Sequence, residues 1–592
     1  MYRLTKLRWR RRVRQRKQQV EDIGSNAEEG FDKHFMRRLV RLASVRRFVS
    51  VWVLLMALLG GIVVVQTRQL TGYYQELKPV PGGIYSEGIV GSFTNANPLF
   101  ASTVVDETAS KLIFSGLLRY DEKNTLVSDL AETWQVDTNG TTYTVRLRPE
   151  LVWHDGKPLT ADDVVFTFQS AQNPDAKSPL FQAWREVDIK KIDDRTVSFG
   201  LKAPFAPFVY SLTTGIIPKH LLGEVEPSQL RSVAFNTNKP VGSGPFIWQA
   251  LELEGQDPND REQYIGLVSN KRFHLGQPKL DSFVIKSFIS KDNLLVALKE
   301  RRVDAVVGLD TLPEDADIKS LKAHEAPTTA IFMAFYLTDG GVLKDTKVRS
   351  ALTQGVDTSS IIKQLGYPVI KANEPFLRNS FAYDPAYAQL GKNVEAANKL
   401  LDEAGWLKNS DGQRAQNKVD LSIKLVGLNN FENSVVSKSL QQAWASLGVK
   451  VEVVLQNNED LQPTIANRAY DVLLNAISLG LDPDVYPFWH SSQADPRSPG
   501  RLNLSNYSSV ATDKALDAGR SRIEPSLRSA KYKPFLQAWK DDNPALAMYQ
   551  PRFLYITRGD LFFYNPESIN SSTDRLNNVH NWMIRQSNTP IN

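Results

Sequence analysis

Apolar and polar side chains alternate most regularly between residues 142 and 148. The apolar positions are Tyr143, Val145 and Leu147. A period of two is typical of a strand that buries one face. Asn139 and Gly140, just before this segment, tolerate the positive φ that a tight hairpin turn needs. The pattern therefore predicts a β-hairpin whose earlier strand carries Trp134.

The apolar period changes to that of a helix after residue 160. Thr160 and Asp163 have the spacing of a capping box, in which each side chain accepts a hydrogen bond from the backbone of the other residue. The apolar face of the predicted helix follows at Val164, Val165 and Phe168. Residues 293–307 predict a helix that runs into a short strand, and residues 421–455 predict a strand, a helix and a strand. This alternation indicates an α/β fold.

Simpler patterns predict further elements along the chain. Apolar runs predict strands at residues 84–90 and 330–336, and a pair of strands at residues 545–556. Apolar residues at helical spacing predict a helix over residues 108–118. In the sequence Val-Gly-Ser-Gly-Pro at residues 241–245, two glycines before a proline predict a tight turn into a strand. The segment lacks the spacing of a phosphate-binding loop.

Length and composition bound the number of cores. A single hydrophobic core stops growing near ~250–300 residues, and the chain has 592, so at least two lobes are expected. Hydrophobic residues make up 42% and charged residues 23%, as in folded proteins. The chain has no Cys, which excludes disulfides, thiolate metal sites and cysteine nucleophiles.

An uncharged apolar segment at residues 48–65 is long enough to cross a membrane. As a helix it would span ~27 Å, close to the ~30 Å hydrocarbon core of a bilayer. We predict an uncleaved anchor. The alternative is a cleaved signal peptide, which fits poorly with the long basic region before the segment and with Gln66, Thr67 and Arg68 after it. Lys and Arg crowd the preceding side, which predicts a cytoplasmic N-terminus and an extracellular large domain.

The net charge of +6 arises at the N-terminus. Residues 1–47 contain 15 Lys or Arg and 5 Asp or Glu, which leaves 56 basic and 60 acidic residues for the rest of the chain. The large domain therefore has no electrostatic footprint for nucleic acid. Residues 1–47 are predicted to be a basic cytoplasmic arm. It is either an amphipathic helix on an anionic membrane face or a solvated arm that only sets topology.

Candidate chemistry concentrates at residues 475–493, directly after a predicted strand. Asp482 and Asp484 lie there beside Tyr486 and Trp489. A carboxylate in an aromatic-lined cleft can hold an ammonium group. The alternative is that the acidic residues cap the following short helix and stay solvated. The seven His are scattered and form no HExxH motif, and GxSxG is absent, so no metal site and no catalytic site is predicted.

Two motifs around the predicted hairpin resemble a known family. They are Leu-Ala-Glu-Thr-Trp at residues 130–134 and Trp-His-Asp-Gly-Lys-Pro-Leu-Thr-Ala-Asp-Asp-Val-Val-Phe at residues 153–166. In order and spacing they are similar to the signature of family 5 extracellular solute-binding proteins, the oligopeptide and dipeptide receptors of ATP-driven (ABC) importers. The resemblance implies an α/β, two-lobed, periplasmic-binding-protein-like fold of class II, from the cluster of large peptide-binding proteins, with mixed sheets. One transmembrane helix would precede it.

The resemblance also implies a division of the chain after the arm and anchor. Residues 66–80 would be a linker. Residues 81–328 would form lobe 1, with an inserted subdomain at about residues 119–238, and residues 329–550 would form lobe 2. Residues 551–592 would return the chain to lobe 1. Many relatives are held to the membrane by a lipidated Cys, which this chain lacks, so residues 48–65 would take over anchoring.

The resemblance assigns candidate ligand-binding residues. An Asp at the position of Asp482 would capture the α-amino group of a peptide, and Ser478, Leu479 and Gly480 would pair with the peptide backbone like an added strand. Between Asp482 and Asp484 the choice stays open. Tyr486 and Trp489 would supply aromatic walls, and Asn97 lies in the Asn-Pro-Leu loop that the family places near the cleft.

The expected protein is thus a receptor and not an enzyme, with no cofactor. Its partners would be a peptide and the permease and ATPase subunits of an ABC importer, and the chain would be a monomer. Relatives also bind nickel complexes, haem or oligosaccharides, which are alternative ligands. A surface hydrolase and a ligand sensor that signals through its cytoplasmic arm are the alternative functions.

Overall fold

The computed structural model describes residues 45–255, 261–309, 311–313, 320–498 and 500–590. The predicted basic arm lies outside them, apart from its last three residues. Contacts along the chain divide the molecule into two units. One comprises residues up to Lys78 together with those from Gln586, and the other is Pro79–Arg585.

The first unit contains the apolar helix and a small sheet. Helix α1 (Arg46–Tyr74) includes an apolar stretch at Phe48–Thr67, whose mean hydropathy is 2.7, with none of it buried. Strand β1 (Gln75–Val80) follows directly and pairs with the last strand, β24 (Arg585–Pro590). The predicted linker at residues 66–80 is therefore regular structure. The breaking residues Pro81 and Gly82 come after it, and Pro79 is tolerated because a two-stranded sheet has only edge strands.

The second unit holds the remaining elements. Its helices are α2 (Val104–Ile113), α3 (Ala161–Gln172), α4 (Phe181–Trp184), α5 (Phe208–Ser211), α6 (Lys219–Leu222), α7 (Lys291–Lys299), α8 (Thr346–Gln354), α9 (Thr358–Leu365), α10 (Val394–Glu403), α11 (Phe431–Ser446), α12 (Asn458–Ala466), α13 (Tyr486–Trp489), α14 (Val510–Arg520) and α15 (Pro525–Asp542).

Its strands fall into three larger and two smaller sheets. In chain order they are β2 (Ile84–Val90), β3 (Leu118–Tyr120), β4 (Leu126–Ser128), β5 (Ala131–Val136), β6 (Thr142–Leu147), β7 (Asp188–Asp193), β8 (Thr196–Gly200), β9 (Phe246–Glu254), β10 (Glu262–Ser269), β11 (Ser282–Phe288), β12 (Ala305–Val307), β13 (Leu321–Pro327), β14 (Ala330–Tyr336), β15 (Ile370–Lys371), β16 (Leu407–Lys408), β17 (Arg414–Gln416), β18 (Val419–Asp420), β19 (Ser422–Leu428), β20 (Lys450–Gln456), β21 (Val472–Ser478), β22 (Ala545–Gln550) and β23 (Arg552–Arg558).

Two mixed sheets define the two lobes. A seven-stranded sheet, in the order β13-β23-β12-β2-β11-β10-β9, belongs to the first lobe. A six-stranded sheet, in the order β15-β22-β14-β21-β19-β20, belongs to the second. The chain passes from one sheet to the other between β13 and β14, and it returns between β22 and β23 at Pro551. The residue boundaries of the lobes stay a prediction.

Strand β14 shows why the second lobe needs a continuous apolar run. Phe332, Ala334 and Tyr336 enter one hydrophobic cluster, and the alternate residues Ile331, Met333 and Phe335 enter another. Successive side chains of a strand point to opposite faces. A strand that is covered on both faces therefore has no polar positions to alternate with, as is typical of central strands in α/β sheets.

The predicted hairpin and capped helix are confirmed in the first lobe. Strands β5 and β6 pair antiparallel within a four-stranded sheet ordered β5-β6-β8-β7, and Gly140 in the turn has φ of +74°. Thr160 and Asp163 form both hydrogen bonds of a capping box at the start of α3. The strands predicted at residues 84–90 and 330–336, and the pair at 545–556, are also present.

The helix predicted over residues 108–118 was placed too far along the chain. Helix α2 begins four residues earlier, because Thr103 caps it by accepting a hydrogen bond from the Asp106 amide, 3.0 Å away. It ends at Ile113, and Gly116 then forms a bridge with Gly215 before β3 begins. The first turn joins two adjacent valines to Asp106 and Glu107, so the apolar residues at helical spacing, from which the helix was predicted, begin only after it.

The Gly-rich turn before β9 fits against the end of α2. A Cβ built on Gly242 would lie 1.9 Å from the Ile113 carbonyl oxygen, and one built on Gly244 would lie 2.7 Å from the same atom. The Gly244 amide donates to that oxygen over 2.8 Å. These glycines therefore permit close backbone approach to the helix end, a reason that the sequence alone did not indicate.

The tail after Pro551 is fastened to the first lobe by a buried ion pair. Arg575 and Glu87, which lies on β2, both have fully buried side chains and pair directly. The Tyr555 hydroxyl of β23 also donates to Glu87, at 2.7 Å. Removing one partner of such a pair is costly, because an unpaired charge is left without water.

Candidate functional site

The candidate site begins where β21 ends. β21 opens with the buried run Val472, Leu473 and Leu474, and it pairs antiparallel with β14 through to Ser478, which lies opposite Ala330. Gly480 has φ of +68°, which turns the chain toward Asp482. Gly suits this position because it adopts positive φ without steric cost.

One edge of β21 is open near this end. The neighbouring strand β19 pairs with β21 only at Val472 and Leu473 within the described residues. On the other side, the Leu479 amide donates to the Thr329 carbonyl oxygen at 3.0 Å. Because backbone groups of a strand alternate in direction, the N–H and C=O groups of Ser478 point away from β14. The end of β21 therefore offers backbone hydrogen bonds to an added strand.

Asp482 is held in an ion pair. Its two carboxylate oxygens accept hydrogen bonds from both terminal nitrogens of Arg528, each at 2.5 Å, and the two side chains are 9% and 4% exposed. Arg528 lies on α15, and its guanidinium carbon is 5.2 Å from the ring centroid of Phe381. A bidentate pair of this kind fixes both side chains. The carboxylate is therefore already neutralised by a cation of the chain itself.

Asp484 is paired with a second arginine. The Arg520 Nη2 donates to Asp484 Oδ2 at 2.8 Å, and burial raises the pKa of the Asp484 carboxyl, while the Arg520 charge opposes the rise. The helix-cap alternative receives limited support. The Tyr486 amide donates to Asp484 Oδ1 over a long 3.4 Å, and the N-cap residue of α13 is Val485.

Three tyrosines of the first lobe lie within the electrostatic reach of Asp482. Burial raises the pKa of Tyr120, Tyr143 and Tyr210, to about 12 for Tyr143, and the Asp482 charge adds to the rise in each case. The rings of Tyr120 and Tyr210 stack with a centroid distance of 6.3 Å. These first-lobe tyrosines therefore lie close enough to the Asp482 carboxylate of the second lobe to be affected by its charge.

Two predicted site residues lie in the core. Trp489 is fully buried, with its ring centroid 5.8 Å from that of Phe335 and 5.7 Å from that of Trp539. Asn97 is also fully buried. Its side-chain oxygen accepts from the Leu99 amide at 3.0 Å, and its nitrogen donates to the Asn236 side chain at 3.1 Å. Both side chains therefore pack in the core next to the site and are not exposed in it.

The other predicted residues surround the open strand end. Ser478 is exposed, and its hydroxyl donates to the Asn570 side-chain oxygen at 3.1 Å. Leu479 is buried, and a Cβ built on Gly480 would lie 3.9 Å from the Asn570 side-chain oxygen. The ring of Tyr486 stacks on His490 with a centroid distance of 4.1 Å. The structure thus brings Ser478, Leu479, Gly480, Asp482, Asp484 and Tyr486 together.

The arginines and tyrosines of the site were not found from the sequence. Arg528 and Arg520 follow their aspartates by 46 and 36 residues, on separate helices. No periodic pattern connects positions so far apart. The one usable signal was the presence of two carboxylates without a neighbouring cation in residues 475–493, since a buried carboxylate requires a partner.

No metal centre is indicated in the part of the chain that the structure describes. Within those residues, no group of three or more His, Asp or Glu side chains is placed to hold an ion. His154 is buried against the Gly-rich turn, and its Nε2 lies 3.0 Å from the Gly244 carbonyl oxygen. Burial lowers the pKa of His154 to about 4, so its imidazole is neutral and serves the fold.

Comparison with known proteins matches this architecture to a family. The model of the bacterial extracellular solute-binding proteins, family 5 (middle), covers residues 125–498. The chain belongs to this family. It is therefore a solute-binding protein and not an enzyme, which removes the hydrolase hypothesis.

Individual relatives cover most of the chain. The oligopeptide-binding protein AppA of Bacillus subtilis is 27% identical over 486 residues, which are 80% of this chain and 87% of AppA. Protein XP55 of Streptomyces lividans is 30% identical over 72% of this chain and 76% of its own length. The relatives thus match between 72% and 80% of this chain.

Solved structures confirm the predicted fold. AppA of Bacillus subtilis, in complex with a nonapeptide, superposes with a TM-score of 0.67 at 26% identity, and the match covers 86% of this chain and 100% of AppA. NikZ of Campylobacter jejuni, in complex with Ni(L-His), gives a TM-score of 0.71 at 25% identity over 84% of this chain and 99% of NikZ. The chain has the α/β periplasmic-binding-protein fold with mixed sheets.

Proposed function

We propose that this chain is a membrane-anchored extracellular receptor that captures peptides between its two lobes and delivers them to an ABC importer. The open edge of β21 is the observation that favours a peptide as the ligand. It ends close to the buried Asp482–Arg528 pair, and the Asp482 charge acts on three tyrosines of the first lobe. An extended peptide can add to a sheet edge through main-chain hydrogen bonds and so tolerate varied side chains. AppA, whose name and solved complex refer to oligopeptide and nonapeptide, supports the same ligand class.

The proposed binding residues follow from that geometry. Ser478, Leu479 and Gly480 form the strand end, and the backbone of Ser478 offers a donor and an acceptor to the ligand. Tyr486 of the second lobe contributes an aromatic ring beside this strand end. The amino terminus of the peptide approaches Asp482, whose carboxylate it shares with Arg528, because each carboxylate oxygen can accept more than one hydrogen bond. Trp489 and Asn97 support the site from the core and do not contact the peptide.

Binding closes the two lobes, because a ligand that contacts both stabilises the closed state over the open one. The first lobe supplies Tyr120 and Tyr210, and the second supplies β21 and Asp482. The closed receptor is then the form that a separate permease with its ATPase subunits recognises. Delivery requires that the peptide leaves unchanged, as family membership implies.

Peptide capture is tested with the full chain in detergent and a degenerate library of nonapeptides. Retained peptides are identified by mass spectrometry, and a synthetic copy is measured by calorimetry. A series of copies, each N-methylated at one amide, then tests strand addition. Affinity should fall only at alternate positions, because every second N–H points to β21. Equal losses at neighbouring positions, or retention of a nickel–histidine complex in place of any peptide, would refute the proposal.

Anchoring is proposed for α1, with residues 1–47 cytoplasmic and the large domain outside. The helix has one apolar stretch of spanning length, Phe48–Thr67, with exposed side chains, and basic residues precede it, which favours this orientation. Intact cells treated with protease should lose the large domain, and the full chain should resist extraction by carbonate. A mature protein whose N-terminus lies after residue 65 would show that the helix is a cleaved signal.

A further inference from the structure

One arginine at the end of α14 contacts both lobes. Arg520 Nη2 donates to Asp484 Oδ2 at 2.8 Å. The guanidinium carbon lies 4.0 Å from the ring centroid of Tyr486, in the second lobe, and 4.8 Å from that of Phe205, in the first. A planar guanidinium is well suited to hold a carboxylate and contact aromatic rings at the same time.

Backbone and apolar contacts join the lobes next to this arginine. The Ala206 amide of the first lobe donates to the Arg520 carbonyl oxygen at 3.0 Å. Ile523, just past α14, packs against the tip of the β5–β6 hairpin. The two are so close that a Cβ built on Gly140, in the hairpin turn, would lie 2.6 Å from Ile523 Cδ1. The hairpin turn thus has an interlobe contact as well as a local role.

We propose that Arg520 is a positioning residue that latches the two lobes in their closed arrangement before a ligand binds. The Arg520 latch consists of Arg520, Asp484, Tyr486, Phe205 and Ala206. It consists of residues of the chain alone, so it can form before a ligand binds. A receptor binds with an apparent affinity reduced in proportion to the fraction of molecules that are competent, and the latch raises that fraction.

The latch is partly buried but not fully satisfied, which makes it reversible. The Arg520 and Asp484 side chains are 24% and 10% exposed, so their attraction is screened less than that of a surface pair. Within the described residues, Arg520 Nε is buried without an acceptor. A buried donor without a partner costs free energy that water repays when the lobes open. The latch therefore favours closure without locking it.

The test measures the distance between the lobes without ligand. The chain has no Cys, so Lys190→Cys and Val510→Cys, both exposed and one in each lobe, take two spin labels selectively. The full chain in detergent is partially unfolded in urea and dialysed to remove bound solute. Pulsed electron spin resonance then gives the distance distribution for the parent and for Arg520→Ala, Arg520→Lys and Phe205→Leu. The matched control is Arg522→Ala, which removes an exposed arginine two residues away.

Arg520→Ala should lower the ratio of closed to open receptor roughly tenfold, the expected scale for losing an ion pair and two ring contacts together. Arg520→Lys should have a smaller effect, since it keeps the charge but loses the planar contacts. Phe205→Leu removes the first-lobe ring that Arg520 contacts, so it should also lower the closed fraction. It serves as the test of the latch if Arg520→Ala does not fold. A parent-like distribution in Arg520→Ala or in Phe205→Leu, or an equal shift in Arg522→Ala, would overturn the latch. The experiment contains no peptide, so its outcome is independent of the proposed ligand.

Discussion

At the scale of single residues, the decisive feature is that both candidate carboxylates are already ion-paired with arginines of the same chain. Asp482 is bonded to Arg528 and Asp484 to Arg520. The sequence identified the two aspartates from their aromatic surroundings. It did not identify the arginines, because side chains on α14 and α15 meet residues 475–493 only through the tertiary fold. The charge available to a ligand depends on those distant partners.

Substitution of either residue of the Asp482–Arg528 pair should therefore lower the free energy of unfolding. Asp482→Asn leaves the buried guanidinium of Arg528 unpaired and should cost ~3–5 kcal/mol in the free energy of unfolding. Arg528→Met should cost a similar amount, and the double variant should recover most of the loss because no charge is left unpaired. Urea unfolding of the four proteins measures the coupling.

The exposed Asp495–Arg497 pair is the matched control for this cycle, since the Arg497 side chain is 90% exposed. Its double-mutant cycle should give ~0–1 kcal/mol. Equal couplings for the two pairs would show that burial of Asp482 has no energetic consequence. Loss of peptide affinity in Arg528→Met, where the carboxylate is free, would contradict the role of Asp482 at the amino terminus of the peptide.

Glu374 should make stability depend on pH. Its side chain is fully buried. Burial raises the pKa of Glu374 from 4.5 to about 8, and the Asp384 charge adds to the rise, whereas the Asp384 backbone N–H and the Arg378 charge oppose it. The folded state therefore holds the proton more tightly than the unfolded state, and stability is lost as the pH rises from the unfolded pKa through the folded one.

Glu374→Gln should remove this loss. Relative to the parent, it should gain stability between pH 4.5 and about 8, on the order of 1.4 kcal/mol per unit of pKa difference. The free energy of unfolding in urea across this range measures the effect. The control is Glu452→Gln, which changes an exposed carboxylate on β20, and it should follow the parent. Parallel pH profiles of Glu374→Gln and the parent would contradict an elevated pKa.

At the scale of elements, patterns that repeat within ten residues were predictable, and features that depend on a distant neighbour were not. The period-two strand β6 and the capping box of α3 are encoded locally and are confirmed. The start of α2 was missed because its first turn, two valines followed by two acidic residues, does not continue the apolar periodicity of the later turns. The supposed linker at residues 66–80 was missed because Pro and Gly near its end were taken as typical of the whole segment.

Gly242 illustrates a neighbour that the sequence conceals. Gly242→Ala would place its Cβ 1.9 Å from the Ile113 carbonyl oxygen, so α2 or the turn must shift. We expect a loss of about 3 kcal/mol or more in unfolding free energy, the upper range for overpacking. The comparison is Gly340→Ala, whose added Cβ would meet nothing within 4 Å. Thermal unfolding of the two variants should differ clearly, and similar stabilities would contradict the close approach.

At the scale of the whole molecule, the two ends of the described chain meet in one small sheet. Strand β1 follows α1 without an intervening loop, and its partner β24 contains the last described residues. Thr589 Oγ1 donates to the Glu76 carbonyl oxygen at 3.2 Å. Pairing between segments about five hundred residues apart gives no local sequence signal. This is why the segment was predicted to be a plain tether.

Removal of β24 should therefore make β1, the segment directly after α1, more accessible to proteases. A full chain that ends at Ile584 leaves β1 without its partner, and backbone that is no longer held in a sheet opens to proteases more readily. Cleavage by an endoprotease specific for glutamate should become faster after Glu76 by roughly tenfold, while cleavage after the exposed Glu224 stays at the parental rate. An unchanged rate after Glu76 would mean that β24 does not protect β1 in solution. A faster rate would mean that the C-terminal strand β24 holds the segment directly after α1 in its folded conformation.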